Sequence, residues 1–257
     1  MMMKKLVLLL VMICLPLMLM NGVAQAQTSV TNRNLAIDLA LDHVDINLGF
    51  NGANISLFGV KNQPGDVAVV IRGPELVTVV RRKDKKFGIW MNTHAVEFFN
   101  VPVYYDFAAS KPELDIAPIE LLRKYHIGLD ALDIRVEKNE DPETVDAFKE
   151  ALVRNRQSGG HFPLSRKPVI FVSDDFFRVD FHVPADVPTG SYLVEVMLFS
   201  NGKLVERRET NLRVAQVGFS ASVYKFANNN GLIYGLFAVF MAMALGAGAH
   251  LLFWRSA

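Results

Sequence analysis

Near the end of this 257-residue chain, Gly231 to Phe253 runs for 23 residues without a charge. As an α-helix such a run spans about 34 Å, enough to cross a bilayer core of about 30 Å. A buried helix of a soluble domain is usually shorter and carries a polar stripe. Trp254 stands where an interfacial aromatic belongs, and Arg255 follows as a positive flank. The rest of the chain must therefore fold on one side of a membrane anchor.

The opening residues predict which side. Lys4 and Lys5 form a positive n-region, Leu6 to Met20 an apolar h-region, and Ala24-Gln25-Ala26 a small-residue cleavage site. Residues 1–26 read as a signal peptide, with the mature chain beginning at Gln27. The rival reading, an uncleaved anchor, meets the objection that the apolar run is short for a span. Cys14 is no lipidation site, because Ile13 rather than a small residue precedes it. With an exported body, the apolar helix at 231–253 stops transfer and leaves 254–257 as a cytoplasmic tail. The expected location is the bacterial inner membrane, single-pass, with a periplasmic body.

Charge and cysteine narrow the function classes. The stretch 27–110 holds eight basic and eight acidic residues, 111–160 eight and eleven, and 161–225 eight and seven. A net charge of −2 over the body creates no field to gather nucleic acid. The single cysteine is Cys14, which leaves with the signal. Thiol nucleophiles, haem attachment through cysteine, thiolate zinc, iron–sulfur and blue-copper sites are thereby excluded from the mature chain.

Within the body, 27–110 reads as an N-terminal β-sandwich-like domain. Leu35, Ile37, Leu39 and Leu41 alternate with Ala36, Asp38 and Ala40, and Ile55 to Val60 forms a second apolar run. Val67 to Ile71 is apolar throughout, as a strand buried on both faces would be. Leu76 to Val80 and Phe87 to Met91 flank a charged turn. A helical linker or insert follows over 111–160. Pro118 to Tyr125 predicts a short helix, and Asp141-Pro142 supplies an N-cap and first residue for a longer one ending at Ser158-Gly159-Gly160. From 161 to 225 the strand pattern returns as an immunoglobulin-like β unit. Phe176 to Val183 is one strand, and Tyr192 to Phe199 another, closed by the hairpin signal Asn201-Gly202. Tyr192, just after Gly190, fits either a tyrosine corner of an immunoglobulin-like sandwich or an ordinary core position. The fold class expected is mainly β, with immunoglobulin-like sandwich units, a helical segment between them and one C-terminal transmembrane helix. Whether the β units form one sandwich or two stays open.

Several stretches together resemble a known family. They are Ile55-Ser56-Leu57-Phe58-Gly59, Val70-Ile71-Arg72-Gly73-Pro74, Phe87-Gly88-Ile89-Trp90-Met91-Asn92, Phe177-Arg178, Val183 to Tyr192, Tyr224-Lys225-Phe226-Ala227 and Tyr234-Gly235. The chain is similar to the putative transmembrane protein family of alphaproteobacteria, single-span proteins of comparable length. Thr189 and Ser191 depart from it, standing where other small residues are expected. The resemblance implies a membrane location and an exported body, carries over no catalytic residue, and points to a sulfite-exporter-like permease as a partner.

Other constellations carry less. Asp42, His43 and Asp45 suggest a metal cluster, but strand alternation should turn Asp42 and His43 to opposite faces. His94, His126, His161 and His182 form no helical pair. Met91 with His94 could serve copper, yet packing explains such a pair equally well. Asp174-Asp175 lacks the alternating oxygen ligands of a calcium loop. No Gly-x-Ser-x-Gly and no phosphate-cradling glycine loop occurs. A carboxylate pair for glycoside hydrolysis is not testable by spacing. No catalytic, cofactor-binding or metal residue is assigned, and no cofactor is expected.

Two features speak of interaction. Arg81, Arg82, Lys83, Lys85 and Lys86 form the one charged run, either a solvated hairpin tip or a contact with anionic headgroups or an acidic partner. In the apolar helix, Gly231, Gly235, Ala238, Ala242, Gly246 and Ala249 recur at spacings of four, three, four, four and three. They form a small-residue face on which helices pack closely in lipid. The reading is a non-enzymatic accessory or scaffold module that contacts the lipid bilayer and a membrane protein partner, or self-associates through its helix. The alternatives are a periplasmic ligand or metal sensor and a hydrolase with an unrecognised site.

Overall fold

Strand makes up 45% of the described residues and helix 27%, so the protein is mainly β. The structure, a computed structural model, describes residues 34–136 and 141–254. The expected signal segment 1–26, Cys14 and Arg255 lie outside them.

A four-stranded antiparallel sheet joins β1 (Leu35–Leu39), β3 (Ala53–Lys61), β11 (Phe176–Val183) and β10 (Ile170–Phe171), in that order. A six-stranded sheet runs β2 (His43–Ile46), β13 (Lys203–Gln216), β12 (Gly190–Ser200), β4 (Asp66–Arg72), β7 (Tyr105–Ala109) and β9 (Lys167–Pro168). Its two edge strands, β2 and β9, pair in parallel and the rest antiparallel. Strands from before and after the helical segment share both sheets. The question of one sandwich or two thus has its answer in the topology: β3 pairs with β11, and β4 with β12.

One core lies between these sheets. Leu35, Ile55, Leu57, Val179 and Phe181 meet Val67, Val69, Ile71, Val194, Val196 and Leu212. The second face of the six-stranded sheet is covered as well. There Ala68, Val70, Tyr105, Phe107, Met197 and Phe199 pack under Ile116, Leu122, Phe148, Leu152 and the root of a hairpin. The cover comes from α1 (Glu113–Ile116), α2 (Ile119–Lys124), the 3-10 turn Leu129–Ala131 and α3 (Pro142–Ser158). This is why β4 is apolar at every position: Val67 to Ile71 are all buried, alternate side chains entering different cores. The helical segment is a third layer over the sandwich rather than a tether between two units.

α3 begins as its sequence requires. The Asp141 carboxylate accepts from Thr144 N at 3.0 Å, and Pro142 takes the first helical position. α2 starts after Pro118.

The hairpin is made of β5 (Glu75–Lys86) and β6 (Ile89–Pro102), to which β8 (Arg135–Val136) adds at Phe98 and Phe99. Here the expectation of a charged turn fails. Arg81 to Lys86 is strand, and the turn is Phe87-Gly88, with φ of 52° and 83°. The cross-strand register runs through the charged run to Lys86↔Ile89, so pairing continues until two residues remain.

After β13 come α4 (Phe219–Asn229) and α5 (Gly231–Trp254). Asn230 breaks the helix for one residue, its N–H donating to Phe226 O at 2.9 Å while its carbonyl accepts from Tyr234 N at 3.0 Å.

Candidate functional site

α5 is the feature with the clearest physical destiny. Its segment Gly231–Ala249 has a mean hydropathy of 2.0, and none of it is buried against the protein. A helix apolar on every side and covered by nothing belongs in lipid. At about 100° per residue, Gly231, Gly235, Ala238, Ala242, Gly246 and Ala249 fall within an arc of about 80°. All six are exposed, and a Cβ added at Gly231, Gly235 or Gly246 would meet nothing within 4 Å. Leu232, Phe237, Phe240 and Met243 occupy the rest of the circumference, also exposed.

The five cations of the hairpin are exposed too. Their surroundings differ. Arg82 lies over the Phe148 ring of α3, 5.0 Å from its centroid, and His94 packs edge-on against the same ring at 5.4 Å. Arg156 of α3 donates to Thr78 Oγ1 at 3.3 Å. The hairpin root is therefore held on α3. Beyond it, Lys83 to Thr93 is exposed throughout apart from half-buried Asp84. Phe87, Ile89, Trp90 and Met91 stand in solvent on that projection, Phe87 completely so. The aromatic character of this tip escaped the sequence reading, because Phe-Gly is not an ordinary turn signal and Phe87 to Met91 resembled a core strand.

Buried charge was also missed. Glu195 is 1% exposed in the middle of β12, facing the helical layer. Arg72 Nη2 of β4 reaches its carboxylate at 2.6 Å, and Arg207 Nε of β13 donates to it at 2.9 Å. Each arginine sits two positions from the residue directly opposite Glu195, Val70 on one strand and Glu209 on the other, and so on the same face. Burying a carboxylate is costly unless it is paired and hydrogen-bonded like this. The sequence signal was present: Met197 and Phe199, on the face of Glu195, are as apolar as Val194 and Val196. Asp106 is the second case. Burial pushes its carboxyl up, opposed by Lys167 Nζ at 2.5 Å. Tyr104 Oη donates to His182 O at 2.8 Å.

A polar cavity of ≈ 220 Å³ opens between the hairpin root and the helical layer, lined by Arg72, Glu75, Asn100, Pro102, His126 and Asp133, with Leu132. His126, at φ 55°, is part of that lining; its Nδ1 is buried without a hydrogen-bond partner, and burial holds its imidazole below the usual histidine range. Its carbonyl accepts from Tyr105 Oη at 2.8 Å, and that hydroxyl oxygen in turn accepts from Gly128 N at 2.9 Å.

The weaker constellations resolve individually. Asp42 and His43 do meet, at 2.8 Å, contrary to the alternation argument, because Asp42 sits at the bend before β2 rather than in it. The contact raises the His43 pKa and lowers that of Asp42. Asp174 and Asp175 lie in the turn between β10 and β11. Among the described residues, no group of three or more His, Cys, Asp or Glu is placed to hold a metal.

The stretches that carried the resemblance divide into two kinds. Some meet in the core. A Cβ on Gly59 would lie 2.1 Å from the Phe177 ring, and one on Gly73 would lie 2.9 Å from the Tyr192 ring. Pro74 packs against Gly190. The others, Phe87 to Asn92, Tyr224 to Phe226, and Tyr234-Gly235, are exposed. No curated protein matches the chain. The family described as "Putative transmembrane protein (Alph_Pro_TM)" matches residues 34–255, from the first strand through the apolar helix. The chain belongs to this putative transmembrane protein family of alphaproteobacteria.

Proposed function

We propose that this protein is a non-enzymatic, single-pass inner-membrane accessory module. Its body lies in the periplasm, and its helix packs against another span, either a second copy or a multi-span protein such as a sulfite-exporter-like permease. The observation that carries the reading is α5: apolar on all sides, with six small residues on one uncovered face. In lipid, helices associate through close backbone approach, which such a face permits.

The body reads as an immunoglobulin-like platform. The sheet orders β1-β3-β11-β10 and β13-β12-β4 match the two sheets of that sandwich. Tyr192, at the start of β12, donates its hydroxyl to Pro188 O at 2.6 Å, the bond of a tyrosine corner. A fold of this kind does not itself fix a function, so the role rests on α5 rather than on the sandwich.

Replacing Gly235 and Ala242 together by leucine tests the reading. Both changes keep the span apolar, so membrane insertion survives while close packing is blocked. Crosslinking of the full-length protein in native membranes should lose its adduct at unchanged abundance. Leu236→Ala with Met243→Ala, off the face, should retain it. An adduct undiminished by the leucine pair reduces α5 to a tether.

A second reading, a periplasmic ligand sensor, is favoured by the cavity at Arg72 and His126. It predicts a small molecule co-purifying with the body and lost on Arg72→Ala.

A further inference from the structure

We propose that the β5–β6 hairpin is a second membrane attachment, its tip entering the interfacial layer of an anionic bilayer with Phe87 leading. The proposal needs the membrane residence of the family but not the packing of α5 against another span.

The chain builds the same two-residue turn twice. Between β12 and β13 it uses Asn201-Gly202, with φ of 51° and 74°. Between β5 and β6 it uses Phe87-Gly88, with φ of 52° and 83°. Two positive φ values in a hairpin call for Asn or Asp before Gly, since a bulky side chain at positive φ crowds its own backbone. Among the described residues nothing offsets this at Phe87. The residue is exposed at 102%, against no neighbour that would reward an aromatic ring. A strained residue that is also a fully hydrated aromatic points to a surface that covers it later.

The order of residues behind the apex matches the order of layers in a bilayer interface. Ile89 opposes Lys86, Trp90 opposes Lys85, Met91 opposes Asp84, and Asn92 opposes Lys83. At about 3.3 Å per pair, Phe87 through Met91 occupy about 10 Å, the depth to which interfacial elements enter the acyl boundary. Trp90 then sits at the headgroup level where tryptophan is enriched. The long stems of Lys85 and Lys86 let their ammonium groups reach back to anionic headgroups, with Lys83 and Arg81 next in line. The one carboxylate in the run, Asp84, accepts from Thr93 Oγ1 at 2.5 Å. The root is fixed on α3 through Arg82, His94 and Thr78, so the tip is presented rigidly. A bilayer is the occupant because α5 keeps one permanently within reach of the body, at high effective concentration.

The chain has two tryptophans. Trp254→Phe in the full-length protein therefore leaves Trp90 as the reporter. In vesicles of phosphatidylcholine with phosphatidylglycerol, Trp90 emission should shift to the blue and be quenched by lipids brominated on their acyl chains. Pure phosphatidylcholine vesicles, or high salt, should weaken the quenching. Phe87→Asn recreates the turn of the other hairpin, so the thermal midpoint should hold or rise while the ratio of inserted to withdrawn tip falls about tenfold. Trp90 emission that stays solvent-like and unquenched in anionic vesicles overturns the proposal. So does quenching unchanged by Phe87→Asn. Shielding of Trp90 only in native membranes, with crosslinks from the tip to a protein, also overturns it and makes the hairpin a protein-docking element.

Discussion

Tyr192 shows how one side chain joins distant parts of the chain. Its ring is fully buried beside Gly73 and tilts against Tyr104 at a centroid distance of 6.0 Å, and burial pushes its phenol up to about 12. Removing a buried aromatic costs about 3–5 kcal/mol. Tyr192→Ala should therefore depress the thermal midpoint of the detergent-solubilised protein sharply. Tyr192→Phe should keep the packing and lose the bond to Pro188, a smaller loss of about 1 kcal/mol. If both variants melt with the wild type, Tyr192 holds nothing together. His126 makes a pH prediction. Burial lowers its folded-state pKa below the ordinary 6.5, so the folded protein prefers the neutral ring. Its contribution to stability is complete above pH 6.5 and is lost as pH falls through the folded value, because protonation favours the unfolded chain. The midpoint should drop below pH 6.5 less steeply in His126→Gln than in the wild type. Parallel slopes would remove His126 from the titration. The difference between variants is the useful quantity, since the raised pKa of His43 acts in the opposite direction.

At the scale of elements, local signals succeeded where the chain itself supplies the partner. Asp141 caps α3 from within the same turn, and Asn201-Gly202 turns a hairpin unaided. Asp141→Ala should cost about 1 kcal/mol, read as a fall of roughly 2–4 °C in the midpoint. A midpoint unchanged by it would mean the cap is dispensable once α3 docks through Phe148 and Leu152. Local signals misplaced the β5–β6 turn. Charge and turn usually coincide, because both favour water. Here the charged run is strand because the cross-strand register is set at the root, where Val96 and Phe98 enter the core. The small-residue face of α5 was legible for the opposite reason. A membrane helix needs no tertiary partner to form, so its periodicity is its geometry.

At the scale of the whole molecule, the remaining prediction concerns orientation. With the body exported, a cytoplasm-dependent fluorescent reporter fused after Ala257 should be bright and alkaline phosphatase at the same position inactive. The reverse pair would place the body in the cytoplasm and overturn the periplasmic reading. Composition and periodicity by themselves determined that the chain is mainly β, that it carries a membrane helix, and that Val67 to Ile71 is a central strand. These follow from which side chains avoid water, a property each segment carries alone. Tertiary structure decided which segments share a sheet, and thereby made one sandwich of two β-rich stretches with the helical segment as its third layer. It also decided that Glu195 is interior. Met197 and Phe199 mark the second face of β12 as apolar in the sequence, but only the docking of α1, α2 and α3 over that face buries Glu195 with them. The same distinction explains Phe87: its aromatic ring reads as core in the sequence, and only the register of the hairpin places it at an exposed apex.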